Sequence, residues 1–186
     1  MLAVENKTNI VGICGAKWSL VGKGKDASFI AKPAMNWVKR PMLLTGTHER
    51  TLDDKKRLAL PRKVRDVMQN PDMVFVTPGP DKCLWLYTQS GLEALAERMD
   101  AVPATDGEGR VFRRLYFAQT ESVEIDKAGR MLIPERLAQF ASLEREVVLI
   151  GVRDHLELWD FSRWKQYLAE NSPRFDSVAE GAFQGK

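Results

Sequence analysis

Two stretches of the chain repeat one charged pattern. Asp53 and Arg57, like Asp126 and Arg130, lie four positions apart, with an apolar residue before the Asp and three apolar residues and a proline after the Arg. An aspartate placed this way can accept backbone N–H bonds in a tight turn, and Gly129 in the second copy can take a positive φ there. Arginine offers a donor fork that matches the O6 and N7 edge of guanine, and duplex DNA demands such a fork beside cations that reach phosphates. Around Arg57 the cations are dense: Lys55, Lys56, Arg57, Arg62, Lys63 and Arg65 fall within eleven positions. The second copy is thinner, with Lys127 and Arg130 and then Arg136 beside Glu135. Arg57 is therefore the leading candidate for base readout, and Lys55, Lys56, Arg62 and Lys63 for phosphate contact. Arg130 and Lys127 are their lesser counterparts, while Asp53, Asp126 and Gly129 are read as turn supports. The competing reading is that each Asp–Arg pair is a salt bridge that only fixes its turn.

The repetition extends beyond the turns. Residues 52–61 match 125–134 at an offset of 73, and Leu84-Trp85-Leu86-Tyr87 matches Leu156-Glu157-Leu158-Trp159 at an offset of 72, so one residue of difference lies in a turn. Each copy predicts a strand, the Asp-x-x-x-Arg turn, a second strand, and a short helix with Pro61 or Pro134 as its first residue. Val64, Val67 and Met68, or Leu137, Phe140 and Ala141, form that helix's inner face. A hairpin follows, over 74–87 or 147–159, then an amphipathic helix, the first capped by Ser90 with Glu93 and the second led by Ser162. One copy holds about four short strands and cannot bury enough surface alone. The expectation is a mainly β fold with short helices, in which two tandem units interleave about a pseudo-twofold axis into a single closed β core with no free edge. The expected divisions are an extension over 1–41, a first unit over 46–93, a linker and helix over 94–118, a second unit over 119–165, and a helix end and tail over 166–186. The stretch 173–186 is expected to be disordered.

Composition narrows the function classes. With 44% hydrophobic residues and no apolar window approaching 18, the chain reads as a globular protein rather than a membrane protein, and no secretory leader is evident. Cys14 and Cys83 have no partner spacing for a zinc finger or a disulfide framework, which fits a reducing compartment. The net charge of +3 is misleading: residues 1–41 carry seven basic against two acidic residues, and the remainder 21 against 23. Polyanion binding must therefore come from local patches. The 1–41 segment reads as an appendage, and its Gly22-Lys23-Gly24-Lys25 run is only a fragment of a phosphate loop. No acid, base or nucleophile constellation is found, so no enzyme is expected. His48 reads as a lone surface histidine, and His155, aligned with Cys83 of the other copy, as a structural position. Trp159, Trp164 and Tyr167 serve either the core or an interface between copies.

The duplicated Asp-x-x-x-Arg units, the Met42-Leu-Leu-Thr-Gly-Thr opening and Phe117-Ala-Gln-Thr ahead of the second unit resemble the bacterial MraZ family over roughly residues 42–177. That resemblance implies the swapped-hairpin (double-split) β barrel of the AbrB-like superfamily. It also implies a DNA-binding regulator of transcription acting on the division and cell-wall gene cluster through G-rich direct repeats. Ring-shaped homo-oligomers, double-stranded DNA as partner, no cofactor or small-molecule substrate, and a place in the cytoplasm and nucleoid follow from the same resemblance. Two departures stand out: Lys56 occupies a position where the family usually has glycine, so the first turn is open to a different shape, and the 41-residue extension makes Met42 a candidate start. An AbrB-like antitoxin or protein-interaction module is the alternative. One barrel unit with a long partner-binding tail would mark it, whereas this chain has two units and a short tail.

Overall fold

From β1 to α2 each strand and α-helix has a counterpart in the second half of the sequence. The computed structural model describes residues 42–100, 103 and 105–183; the expectations made for residues 1–41 lie outside them. The first copy runs β1 (Thr47–Thr51), β2 (Arg57–Ala59), α1 (Arg62–Val67), β3 (Met73–Pro78), β4 (Leu84–Tyr87) and α2 (Gln89–Asp100). After α3 (Gly107–Gln119) the second copy repeats the order as β5 (Glu121–Glu124), β6 (Arg130–Leu132), α4 (Glu135–Phe140), β7 (Glu146–Val152), β8 (His155–Asp160) and α5 (Phe161–Asn171). The chain continues into α6 (Phe175–Phe183).

The strands of the two copies interleave. Six form one antiparallel sheet in the order β1-β7-β8-β4-β3-β5, and β2 and β6 form a separate two-stranded ribbon. Among the named strands of the described residues, only the hairpins β3–β4 and β7–β8 pair within a copy, and an isolated bridge joins Ile125 to Met131. The register obeys the twofold: Thr51 faces Glu146 as Glu124 faces Met73, and Leu84 faces Leu158 as Leu86 faces Leu156. The one-residue difference between the copies falls in the β3–β4 turn, where Pro80–Lys82 forms a short 3-10 turn before β4. β7 and β8 are closed more tightly, with Val152 opposite His155.

Burial follows from this pairing. Leu58 and Met131 meet across the centre of the ribbon and are fully buried, and Val74, Leu86, Leu149 and Leu158 join them in one apolar core. Neither copy contributes that core alone, which is the physical reason for the duplication.

Several local expectations need correction. Pro61 and Pro134 are the N-cap residues of α1 and α4, with extended ψ near 138° and 133°, not their first helical residues. A missing N–H costs nothing at either position, so composition alone cannot separate them. Val67 is 42% exposed rather than inward. Helix α2 starts at Gln89, and the Thr88 hydroxyl, not that of Ser90, accepts from the Gly91 N–H. In α5 the Asp160 carboxylate accepts from Ser162 and Arg163 N–H, so the capping residue again immediately precedes the helix and lies before the serine. Residues 175–183, expected to be disordered, form α6. Phe175, Val178, Ala179, Ala182 and Phe183 recur at helical spacing there, a pattern masked by its brevity.

Candidate nucleic-acid interface

The two Asp-x-x-x-Arg turns share one backbone. In the first, Oδ1 of Asp53 accepts the N–H of Lys55 and of Arg57, both at 2.9 Å, and Oδ2 takes the Arg57 Nε at 2.7 Å. In the second, Oδ1 of Asp126 accepts the N–H of Ala128 at 2.8 Å and of Arg130 at 2.9 Å, and Oδ2 takes the Arg130 Nε at 2.9 Å. The backbone closes each turn in the same way: Lys56 N–H donates to Asp53 O and Gly129 N–H to Asp126 O, both at 2.8 Å. The Arg57 backbone N–H, with its guanidinium and the Lys55 N–H, holds the Asp53 carboxyl below the usual aspartate range. Arg130 and Ala128 do the same for Asp126. Lys56, at φ 57°, adopts the left-handed conformation that Gly129 takes at φ 77°. The departure at Lys56 therefore leaves the turn's shape unchanged.

The twofold explains how lysine fits. A Cβ on Gly129 would lie 2.6 Å from Cζ of Arg65, because the Arg65 side chain crosses from α1 to lie over the second turn. The residue that corresponds to Arg65 in the second copy is Ala138, which is buried. A turn with no side chain faces a long one, and the turn with a lysine has alanine at the corresponding place. The linear count missed this crossing: Arg65 belongs to the first copy by sequence and to the second turn by position.

Both turns open onto the outer face of the ribbon. Leu60 N–H donates to Gly129 O and Ile133 N–H to Lys56 O, so the intervening pairs Arg57–Leu132 and Ala59–Arg130 are the non-hydrogen-bonded ones. Side chains of such pairs approach most closely, and diagonal neighbours stand about 7–8 Å apart. With Leu58 and Met131 turned into the core, the outer face carries Arg57 and Arg130 at opposite corners and Leu132 and Ala59 at the other two. Lys55 is exposed and Lys56 half-buried at one end of this face, with Arg62 and Lys63 exposed on α1. Lys127 is exposed at the other end. Among the described residues Lys55, Lys56, Lys63 and Lys127 form no ion pair, and Arg62 reaches Asp66 only at 3.9 Å on the surface. Arg136, the counterpart of Lys63, is held by Glu121 at 3.0 Å.

The two arginines are engaged to different degrees. Arg57 uses Nε on Asp53, and no hydrogen bond from its Nη groups occurs among the described residues. Arg130 places both Nε and Nη2 at 2.9 Å from the same Asp126 oxygen. The end-on fork is thus freer in the first copy.

Comparison with known proteins decides the family. A family model described as "MraZ protein, putative antitoxin-like" matches twice, over residues 43–115 and 116–185. The chain belongs to the MraZ family. A Salinispora tropica protein named transcriptional regulator MraZ is 36% identical over 143 residues, covering 77% of this chain and 99% of that protein. The MraZ regulator of Moorella thermoacetica is 34% identical over 139 residues, 74% of this chain and 95% of its own length. The one from Finegoldia magna is 35% identical over 130 residues, 70% and 90% respectively. The double match gives MraZ membership to both copies.

Away from the turns, this MraZ chain holds a buried charged cluster at the β7–β8 turn. His155 Nδ1 lies 2.7 Å from Asp154 Oδ1, and its ring stacks on Tyr87 at 5.0 Å between centroids. Its Nε2 is 3.6 Å from Glu157 Oε1, a charge contact longer than a hydrogen bond. Burial acts to lower the His155 pKa, but Glu157 and Asp154 outweigh it and hold the ring above the usual histidine value. Trp85 and Trp159 donate their indole N–H to Glu157, at 3.0 and 2.9 Å. At the equivalent place in the first copy, burial pushes the Cys83 thiol up to about 12, so it stays neutral. His48 is not the plain surface residue expected: it is half-buried on β1, with Nε2 enclosed and unpartnered, and burial, with Arg50 and Lys63 nearby, lowers its pKa. Trp159 is buried against Trp164 and Tyr167, so that group is core on one side and surface on the other. Among the described residues no group of three His, Cys, Asp or Glu could hold a metal ion, and no helix is long and apolar enough to cross a membrane.

Proposed function

We propose that this chain is a DNA-binding regulator of transcription that reads duplex DNA with the outer face of the β2–β6 ribbon. The observation that carries this reading is the Arg57 corner, where a guanidinium is oriented through Nε by Asp53 and surrounded by lysines without acidic partners. Arg57 is assigned to guanine readout, Lys55, Lys56, Arg62 and Lys63 to phosphates, and Arg130 and Lys127 to a second, weaker set. Asp53, Asp126 and Gly129 hold the turns. The names of the relatives support a regulator. The family further suggests the swapped-hairpin barrel with units over 46–93 and 119–165, ring-shaped homo-oligomers, and G-rich direct repeats before the division and cell-wall genes. It suggests action in the cytoplasm, at the nucleoid. Several weak patches on one duplex would raise avidity by about 10² to 10⁴ without new contacts.

A salt titration tests this, comparing a duplex from the region upstream of the chain's own coding sequence with a scrambled duplex. Four phosphate contacts per engaged subunit predict a log–log slope of about −3.6 for each subunit bound, together with preference for the upstream duplex. Equal, shallow binding to both duplexes overturns the proposal.

A second reading keeps one supporting observation. Helix α6 exposes Phe175, Val178 and Phe183, the outer two at 72% and 91%, as a protein-interaction or antitoxin-type module would. Loss of a protein partner, with DNA binding intact, on polar replacement of these residues would favour it.

A further inference from the structure

A large apolar side chain sits on the proposed DNA-reading face, beside its leading arginine. Leu132 is 55% exposed on a ribbon whose alternate residues, Leu58 and Met131, are fully buried. Strand alternation accounts for its direction but not for its type, since an outward ribbon position has no core to fill. Its partner is Arg57, in a non-hydrogen-bonded pair where side chains stand closest. The counterpart of Leu132 in the first copy is Ala59, which faces Arg130. The larger apolar side chain therefore stands beside the arginine with the freer fork, and the smaller beside the arginine more fully tied to its aspartate.

The major groove admits a two-stranded ribbon, and only there does a base pair present an apolar group, the 5-methyl of thymine, beside hydrogen-bonding edges. A ribbon that places Arg57 on guanine O6 and N7 carries Leu132 to the floor of the groove at an adjacent base pair. Resting on the function proposed above, we propose that Leu132 is a specificity-determining residue that packs on the 5-methyl group of a thymine next to the guanine read by Arg57. Ala59, a shorter side chain, makes the corresponding contact less closely, so the two halves of the ribbon read unlike sequences. Water leaves the Leu132 side chain and the methyl together, which favours thymine over cytosine without any hydrogen bond.

Replacing thymine by deoxyuridine removes that methyl and leaves Watson–Crick pairing and the O4 acceptor intact. Binding of the full chain to the upstream duplex, with thymine or with deoxyuridine throughout, is measured for the wild type, Leu132→Ala and Arg57→Ala, with melting temperatures to establish folding. The wild type is expected to bind the deoxyuridine duplex about fourfold more weakly, the worth of one buried methyl-sized group. Leu132→Ala should bind the thymine duplex near the weaker level and show a clearly smaller uracil effect, the remainder coming from short alanine contacts of the Ala59 kind. An equal uracil effect in wild type and Leu132→Ala, or none in either, overturns the assignment. Should Arg57→Ala lose specific binding in that case, only the role of Leu132 falls. Undiminished specific binding by Arg57→Ala removes the ribbon reading itself, and this inference with it. Leu132→Met, which keeps an apolar reach, should retain the uracil effect. Were Leu132 only a packing support for the Arg57 stem, its replacement would weaken both duplexes without reducing their difference.

Discussion

The first and second turns have one backbone and two different surroundings. Asp53 and Asp126 bind the same two N–H groups and the same guanidinium nitrogen, within about 0.2 Å of each other. What differs is everything attached. Lys56 stands for Gly129, Lys63 without an ion pair stands for Arg136 paired to Glu121, and Leu132 beside Arg57 stands for Ala59 beside Arg130. A duplicated unit thus keeps the hydrogen bonds that shape it while its exposed positions drift apart, because the former are demanded by the fold and the latter only by whatever the surface meets.

The largest effect expected to sharpen this contrast is on DNA. Arg57→Ala should cost specific binding about 1–3 kcal/mol, the worth of a bidentate arginine–guanine pair, with fold and assembly unchanged. Arg130→Ala should cost clearly less in the same titration. Equal losses would mean that the two turns share the contact, and loss in neither would remove the site assignment.

Next comes the exchange at the left-handed position. Gly129→Ala should destabilise the protein by about 1–2 kcal/mol, since alanine at φ 77° is strained and its Cβ meets the Arg65 guanidinium. Arg65→Ala combined with it should recover the steric part only. Lys56→Gly should stabilise by up to about 1 kcal/mol while weakening DNA binding through the lost cation. Denaturant unfolding separates these, and an equal response at both turns would contradict the compensation by Arg65 and Ala138.

The smallest effect is a pH dependence that His155 carries in the second copy. The His155 pKa is raised, so its contribution to stability is fully present below about 6.5 and is lost as pH rises through its higher folded value. His155→Gln should flatten the melting temperature against pH above about 6.5, whereas Cys83→Ala should leave that profile unchanged, because the thiol, pushed up to about 12, stays neutral over that range. Asp154, Glu157 and Arg98 are the charged groups facing the ring and its partners. At the acid end the depressed carboxyls of Asp53 and Asp126 hold their turns above the ordinary aspartate value of about 3.9 and release them as pH falls through their lower folded values.

Much of this was legible in order along the chain. The repeat announced itself through Asp, Arg and Pro at fixed spacing, and the strand–turn–strand–helix–hairpin–helix order followed, since each signal is local: a turn residue, a helix starter, an alternation. What was misjudged was also local but degenerate. Ser90 and Ser162 were plausible caps, yet Thr88 and Asp160 do that work because the helices start at Gln89 and Phe161, ahead of the serines. Helix α6 was missed because five apolar residues in nine make too short a helical pattern to stand out.

Two copies, a turn built on an aspartate in each, and cations gathered around the first are all written along the chain. They are legible there because hydrogen-bonding type, backbone freedom and charge are properties of single residues and their near neighbours. Folding in three dimensions is what pairs β2 with β6, placing Arg57 opposite Leu132 and Arg130 opposite Ala59. It alone decided that Arg65 of the first copy covers the turn of the second. Those contacts join residues some seventy positions apart, and they exist because neither copy can bury its apolar face without the other.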